Sequence, residues 1–308
     1  MLLALISEYK QSIKSRDTEE KIDLFFCRPF GFFIAKIANY FNMTPTMLSI
    51  TGLILGLIAS YFFYQDQTSF VFFSACACFL LSGVLDSADG QLARIANKST
   101  PMGLILDGIC DSLVTISIYF ACARPYYSRF NYLFSLVIIL SLVLHSFQCA
   151  ILDFYHREYL YFGLGKTHGN VYWNPGVEEA SINIKKSNGN FDKFLNYLRL
   201  DWIKKQQLIS TRSEKERNKM KELLLSSEGN DKEEFMKSYR KHNLWLLPFW
   251  RLIGVNAHTA LLIFFIFFGR FDIYLFGFDL FAFNFIIMIV RFMQKKSDRN
   301  LFVEIKIA

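Results

Sequence analysis

The sequence lacks the features by which many function classes announce themselves. It holds no internal repeat and no low-complexity tract. No basic stripe interleaved with base-stacking aromatics marks a nucleic-acid module, so the net charge of +7 is not read as nucleic-acid binding. Nothing at the start resembles a cleavable signal peptide: Met1–Ile6 is apolar but too short, and Glu8, Lys10 and Lys14 follow at once. The six cysteines (27, 76, 78, 110, 122, 149) sit in or beside apolar segments, without metal-ligand spacing to histidines. That pattern reads as small, reduced packing residues.

What the chain has is apolar surface. Of 308 residues, 53% are hydrophobic and 17% aromatic, and Phe alone accounts for 34. A soluble domain rarely carries so much; surface facing lipid needs no polar partner and permits it. Six runs, about Met47–Tyr64, Ser69–Leu85, Met102–Ala121, Tyr132–Leu152, Leu244–Phe268 and Ile273–Phe292, each approach the roughly 20 residues that a helix needs to cross a bilayer. The expected fold class is therefore all-α, an integral membrane bundle of six spans.

Basic residues set the expected orientation. Lys10, Lys14, Arg16, Lys21, Arg28 and Lys36 precede the first span, and Lys295, Lys296 and Arg299 follow the last. The segment between spans four and five holds 17 of the 34 Lys and Arg residues. The opposite side has Arg124, Arg129 and Arg270. This bias places both termini in the cytoplasm, and the basic flanks match anionic lipid headgroups.

Four regions follow. Residues 1–45 read as an amphipathic interfacial region, 46–152 as a block of four spans, 153–242 as a charged cytoplasmic insertion, and 243–308 as two closing spans with a basic tail. Within the insertion, the part with Gly163, Gly165, Gly169, Pro175, Gly176 and Asn188-Gly189-Asn190 reads as loop. Ser210–Lys241 is highly charged, and its stretch Glu214–Leu225 reads as an exposed helix with Glu/Lys pairs.

The chemistry lies where span two ends, in LDSADGQLARIANKSTPMGLILDGICD. Asp86 and Asp89 are three apart, and Asp107 and Asp111 four apart. On helices both spacings put the pair on one face. The short link through Pro101 suits a turn between antiparallel helices, so the two pairs are expected to face each other. Four such carboxylates cannot all stay ionised without compensation. Hard oxygen ligands suit Mg²⁺ or Mn²⁺, and four carboxylates are enough for two ions. Gly90, Ala93 and Gly103 lack bulk and leave room for a nucleotide, while Arg94 can donate paired bonds to a phosphate. Intramembrane carboxylates would also suit a proton or cation transporter, but that reading leaves the interleaved Gly/Ala/Arg pattern without a reason.

The run Asp86–Asp111 resembles the signature of the CDP-alcohol phosphotransferase family, with every signature position filled: Asp86, Asp89-Gly90, Ala93-Arg94, Gly103, Asp107 and Asp111. The resemblance implies that Asp86, Asp89, Asp107 and Asp111 bind two divalent metals and that Asp111 is also the general base. It implies that Gly90 and Arg94 contact the CDP moiety and Thr100 its phosphate. Pro45-Thr46-Met47-Leu48-Ser49 is similar to the Pro-Asn-x-x-Thr that lines the nucleotide site in members using CDP-diacylglycerol, with Thr46 and Ser49 as the departures. The N-terminal region and the insertion are similar to members from Bacteroidota, which implies a bacterial inner-membrane enzyme with its site facing the cytoplasm. Its partners would be a CDP-linked lipid donor, a small alcohol acceptor, membrane lipids and a second copy of itself in a homodimer.

The implied reaction is attack of an alcohol on the β-phosphorus of a CDP-alcohol, with CMP leaving. CDP-diacylglycerol with inositol phosphate or glycerol phosphate is the leading pair. Transfer from CDP-ethanolamine or CDP-choline to a lipid alcohol is the alternative, and a transporter or scaffold on a degenerate copy of the fold is a further one. Arg251, about seven residues into the fifth run and roughly 10 Å deep at 1.5 Å per residue, is the candidate for an acceptor phosphate. His145 and His258 read as packing or helix-contact residues.

Overall fold

A computed structural model describes the chain except residues 1, 66–67, 168–172, 174, 188 and 307–308, with residues 2–4, 101 and 128–132 described by their backbone. Gly169 and Asn188 of the expected loop thus lie outside the described residues. The described residues form helices and no strands. Among the described residues, six helical stretches are long and apolar enough to cross a membrane: Pro45–Tyr64, Ser69–Ile95, Met102–Tyr126, Leu133–Gly163, Gly229–Phe267 and Phe271–Glu304. The chain is a multi-pass membrane protein. It divides into two compact units, one of residues 1–142 and 260–275, the other of 143–259 and 276–308.

The first unit contains α1 (Leu2–Ser12), α2 (Arg28–Tyr40), α3 (Pro45–Tyr64), α4 (Ser69–Ile95) and α5 (Pro101–Ala123), with the start of α6 (Tyr127–Glu158). Local sequence sets the helix ends. Thr44, Thr68 and Thr100 cap α3, α4 and α5, each side chain accepting a backbone N–H in the first turn. Pro45 and Pro101 occupy the first helical position, where no N–H is needed. α4 stops at Asn97, which takes a left-handed φ of 53°. Asn97 N then donates to Arg94 O at 3.3 Å and Lys98 N to Ala93 O at 2.8 Å, satisfying the last carbonyls of the helix. This stop followed by the Thr100-Pro101 start forms the turn that folds α5 back along α4.

Close approach of α3 to its neighbours rests on small residues. A Cβ on Gly56 would lie 2.4 Å from a methyl of Val114 on α5, and one on Gly52 would lie 3.4 Å from the Ser82 carbonyl on α4. Ser82 Oγ donates to Gly52 O at 2.7 Å across the same crossing. The N-terminal segment is tied to α4 by polar contacts. Arg28 donates to Glu19 (2.8 Å) and to Ser87 Oγ (3.0 Å), and Gln91 Nε2 donates to Ser12 Oγ (3.0 Å) and Arg28 O (3.1 Å). Burial works against the Glu19 charge, but Arg28 and Lys14 outweigh it and hold the carboxyl below its ordinary range.

The second unit contains the rest of α6, a π-helical turn (Tyr159–Gly163), α7 (Val177–Lys186), α8 (Asn190–Ile209), α9 (Glu214–Ser226), α10 (Gly229–Asn243), α11 (Leu247–Arg251), the start of α12 (Val255–Phe267) and α14 (Phe283–Glu304). α13 (Phe271–Ile273) belongs to the first unit and leads into a π-helical segment, Tyr274–Ala282, which runs from the first unit into the second. Part of the stretch expected as loop is helical: α7 takes up Val177–Lys186, while the described residues of 164–176 and of 187–189 are non-helical. Gly176 and Gly189 stand at the N-caps of α7 and α8, and Gly165, at φ +62°, follows the π-helical turn. The glycines mark the helix boundaries on either side of these non-helical segments.

The helix expected over Glu214–Leu225, within the charged segment Ser210–Lys241, is present as α9, and what needs correction is its exposure. The segment forms α9 and α10, with Ser213 and Glu216 making a capping box. Arg212 and Arg217, however, are buried. Arg212 donates to Asp298 (2.7 Å), Asn243, Glu158 and Tyr239, and Arg217 donates to Glu158. Gln294 links Asn243 (2.9 Å) to Asp298 (2.8 Å). Burial opposes the Arg212 charge, yet Asp298, Tyr239 and Glu158 together hold its pKa well above the ordinary arginine value. Charges that read as a solvated face are compensated by carboxylates from α6 and α14. Around them pack Tyr159, Phe162, Trp173, Met220, Leu224 and Leu301.

Candidate active site

The α4–α5 turn brings the two acidic pairs together. Asp86 and Asp89 sit on α4 and Asp107 and Asp111 on α5. Carboxylate oxygens of Asp86, Asp89 and Asp107 all lie within 4.8 Å of one another. Asp89 is buried, while Asp86 and Asp107 are half-buried. Asp111 is more exposed and stands outside this trio, one turn along α5. It lines the same cavity, together with Ser49, Gly52, Leu53, Ser82, Cys110 and Val114. An oxygen-only donor set of three carboxylates fits a hard divalent cation such as Mg²⁺ or Mn²⁺. Such an ion would remove the repulsion between carboxylates held this close.

Ser49 stands out among the expected residues. Its hydroxyl donates to Asp89 Oδ2, and it also lies 3.2 Å from Pro45 O. The structure thus brings it against the acidic cluster. Ser49→Ala removes the donor that orients Asp89. It is expected to raise the Mg²⁺ or Mn²⁺ concentration needed for half-maximal activity about 10- to 100-fold, the usual weight of such an outer partner. An unchanged metal-activation curve would show that Ser49 does not act through Asp89.

Thr46 lies half-buried in the first turn of α3. Gly90 and Ala93 are half-buried on α4, on the face of Asp86 and Asp89. A Cβ on Gly90 would sit 3.4 Å from the Arg94 guanidinium. Arg94 itself donates through Nε to the Ser12 carbonyl, on the helix face it shares with Ser87 and Gln91. Thr100 acts locally, at the start of α5. Its Oγ1 accepts the Gly103 N–H at 3.0 Å, and a Cβ on Gly103 would approach that oxygen to 3.1 Å. Arg251 belongs to the second unit. It lies half-buried at the end of α11, before a break at residues 252–254, so the fifth apolar run is not one continuous helix. Pro248 in the short helix and Gly254 in the break were the legible warnings.

Arg28, Ser87 and Gln91 were missed from sequence. They fix the N-terminal segment against α4 on the face next to the carboxylates. Ser87 and Gln91, two polar residues four apart and so on one face of α4, carried the signal.

Residues 42–167 match the CDP-alcohol phosphatidyltransferase family. The chain is 32% identical over 112 residues to the CDP-diacylglycerol–inositol 3-phosphatidyltransferase of Drosophila melanogaster, covering 36% of this chain and 47% of the relative. It is 37% identical over 91 residues to the archaetidylinositol phosphate synthase of Pyrococcus horikoshii, covering 29% and 46%. It is 35% identical over 71 residues to the CDP-diacylglycerol–glycerol-3-phosphate 3-phosphatidyltransferase of Aquifex aeolicus, covering 23% and 38%. The chain spans about half the length of the first two relatives. No solved structure matches it.

Proposed function

From the premise that residues 42–167 are a CDP-alcohol phosphatidyltransferase domain, we propose that this chain transfers a phosphatidyl group from CDP-diacylglycerol to a polyol phosphate and releases CMP. One observation carries the reading: three carboxylates from α4 and α5 converge within 4.8 Å in a cavity that also takes in Asp111 and Ser49. The matched domain contains all five residues. The named activities of the relatives, with inositol and glycerol 3-phosphate among their acceptors, support the donor and the acceptor class.

Asp86, Asp89 and Asp107 would hold a divalent ion, with Asp111 completing a second position. Bound there, the ion supplies charge neutralisation for the donor phosphates. Asp111 takes the proton from the attacking hydroxyl. The new P–O bond forms at the β-phosphorus as the bond to CMP breaks, and CMP carries away the leaving oxygen. Arg94 and Thr100 bind the CDP phosphates, while Gly90, Ala93 and Gly103 leave room for the nucleotide beside the helices. Thr46 and Ser49 border the same site. The half-membrane toward which this site opens would be cytoplasmic, in a bacterial inner membrane, with the enzyme a homodimer. Cysteine labelling should find both termini and residues 153–242 on that side, and an insertion exposed on the opposite side would break this topology.

The acceptor phosphate would be held by Arg251. Arg251→Ala is expected to raise the acceptor KM by at least about 10-fold while leaving the donor KM nearly unchanged, since one acceptor contact is removed. Lysine should rescue in part, because it keeps the charge and loses the fork. Normal transfer by the alanine variant at limiting acceptor would exclude this role. The direct test of the substrates offers purified protein CDP-diacylglycerol or CDP-ethanolamine, with a panel of acceptors, and identifies the lipid product by mass. A phosphatidyl polyol phosphate supports the reading; a diacylglycerol-derived ethanolamine lipid contradicts it.

A further inference from the structure

A second group of ionisable side chains lies in the second unit, made of residues to which the transfer mechanism gives no role. His145 on α6, His258 on α12 and Asp279 in the π-helical segment Tyr274–Ala282 converge there. Asp279 has no exposure, His258 is buried, and the His145 side chain is 13% exposed. The two Nδ1 atoms lie 3.2 Å apart, and Asp279 Oδ1 lies 3.8 Å from His145 Nδ1 and 3.7 Å from His258 Nδ1. The two histidines meet between α6 and α12, in keeping with the sequence reading of them as packing or helix-contact residues, while Asp279 escapes that reading because it lies far from both in the chain.

The three separations can be set against two explanations. A hydrogen-bonded imidazole pair accounts for the 3.2 Å edge, but the two edges to Asp279 Oδ1 exceed an N–H···O bond. Ligands at the 2.0–2.1 Å distances of a tetrahedral zinc ion stand about 3.3–3.4 Å apart, and the three edges bracket that value. The surroundings hold each group in position. Asp279 O accepts from Gln148 Nε2 (2.8 Å) and Asn284 Nδ2 (3.0 Å), which fixes the π-helical segment. Phe283 packs on the His258 ring with centroids 4.2 Å apart. His145 Nε2, the nitrogen turned away from the group, meets Cys149 Sγ at 3.5 Å. That contact leaves Nδ1 as the His145 nitrogen facing His258 and Asp279. A π-helical turn is also a common device for aiming a functional side chain.

We propose that His145, His258 and Asp279 form a buried site for a divalent transition metal of the zinc class, in tetrahedral coordination and separate from the oxygen-only site at Asp86, Asp89 and Asp107. Two imidazoles and one carboxylate favour such an ion over Mg²⁺, whereas three carboxylates favour Mg²⁺ or Mn²⁺. The site ties α6, α12 and the π-helical segment together within the second unit.

The test uses the full chain purified in detergent with excess MgCl₂, which fills the carboxylate site without competing for nitrogen ligands. ZnCl₂ is added, free metal is removed by gel filtration, and bound zinc is counted by elemental analysis. One zinc per chain is expected, and its removal by a chelator should lower the melting temperature. CoCl₂ should instead give the intense visible bands of tetrahedral Co²⁺. His258→Gln and Asp279→Asn should each lose the bound zinc and those bands. The intact protein settles the matter even if the variants do not fold. No retained zinc, or a Co²⁺ spectrum of six-coordinate character alone, would mean a hydrogen-bonded histidine pair only and overturn the proposal. Retention of full zinc binding by well-folded variants would overturn it as well.

Discussion

Asp107→Asn is expected to lower phosphatidyl transfer by at least about 1,000-fold, or about 4 kcal/mol of transition-state stabilisation. Asparagine keeps the shape of the side chain and removes its charge. Asp107 faces Asp86 and Asp89 across the α4–α5 turn, so the trio loses the member contributed by α5. Metal affinity should fall with activity. Excess Mn²⁺ should restore little, because a neutral amide oxygen is a weak ligand for a hard cation. Membrane insertion and melting of the metal-free protein should be close to wild type, since removing one of three mutually repelling carboxylates relieves strain. The same logic requires that EDTA abolish transfer and that Mg²⁺ or Mn²⁺ restore it. Asp111→Asn should behave differently. It should lose transfer while the carboxylate trio keeps its ion, because Asp111 stands outside that group.

Arg212→Ala is expected to destabilise the second unit by about 3–5 kcal/mol, the usual cost of removing one partner from a buried charge network. Arg212 is 3% exposed and joins Glu158 on α6 to Asp298 on α14. Without it, Asp298 keeps contacts from Thr211 and Gln294 but loses its charged partner. Glu158 keeps Arg217. Lysine should recover only part of the loss, because it cannot reach Asp298, Asn243, Glu158 and Tyr239 with one fork. Lys241→Ala is the control. Lys241 pairs with Glu304 at 2.9 Å on an exposed surface, where such a bridge contributes about 0–1 kcal/mol. Denaturation midpoints in detergent should separate the two variants clearly; equal midpoints would contradict the structural role of Arg212.

These two predictions differ in how much of their basis the sequence displays. Asp107 was readable because the chemistry is local. Four aspartates at helical spacing, a proline-bearing link and small residues between them specify a hairpin with facing carboxylates. The spans were readable because lipid permits long apolar runs that water does not. Arg212 was unreadable for the opposite reason. Its neighbours in sequence are charged and read as solvated, whereas its partners Glu158 and Asp298 lie 54 and 86 residues away. Burial of that kind is decided by tertiary packing, which periodicity does not report. The same limit applies to His145, His258 and Asp279. Each looks like an isolated polar residue in an apolar run until the helices bring them together. Ser49 falls between these cases. Its place in a Pro-x-x-x-Ser pattern marked it as a site residue, but only the packing of α3 on α4 shows its hydroxyl on Asp89.

The central claim is that the carboxylate cavity of residues 42–167 catalyses transfer from a CDP-linked lipid. The most direct measurement is release of labelled CMP by purified protein supplied with CDP-diacylglycerol, Mg²⁺ and a panel of polyol phosphates, with Asp107→Asn as the blank. Release that depends on acceptor and on metal, matched mole for mole by a phosphatidyl product and absent from the variant, is the predicted result. No CMP above the blank with any acceptor, from protein that is folded and metal-loaded, would contradict the account.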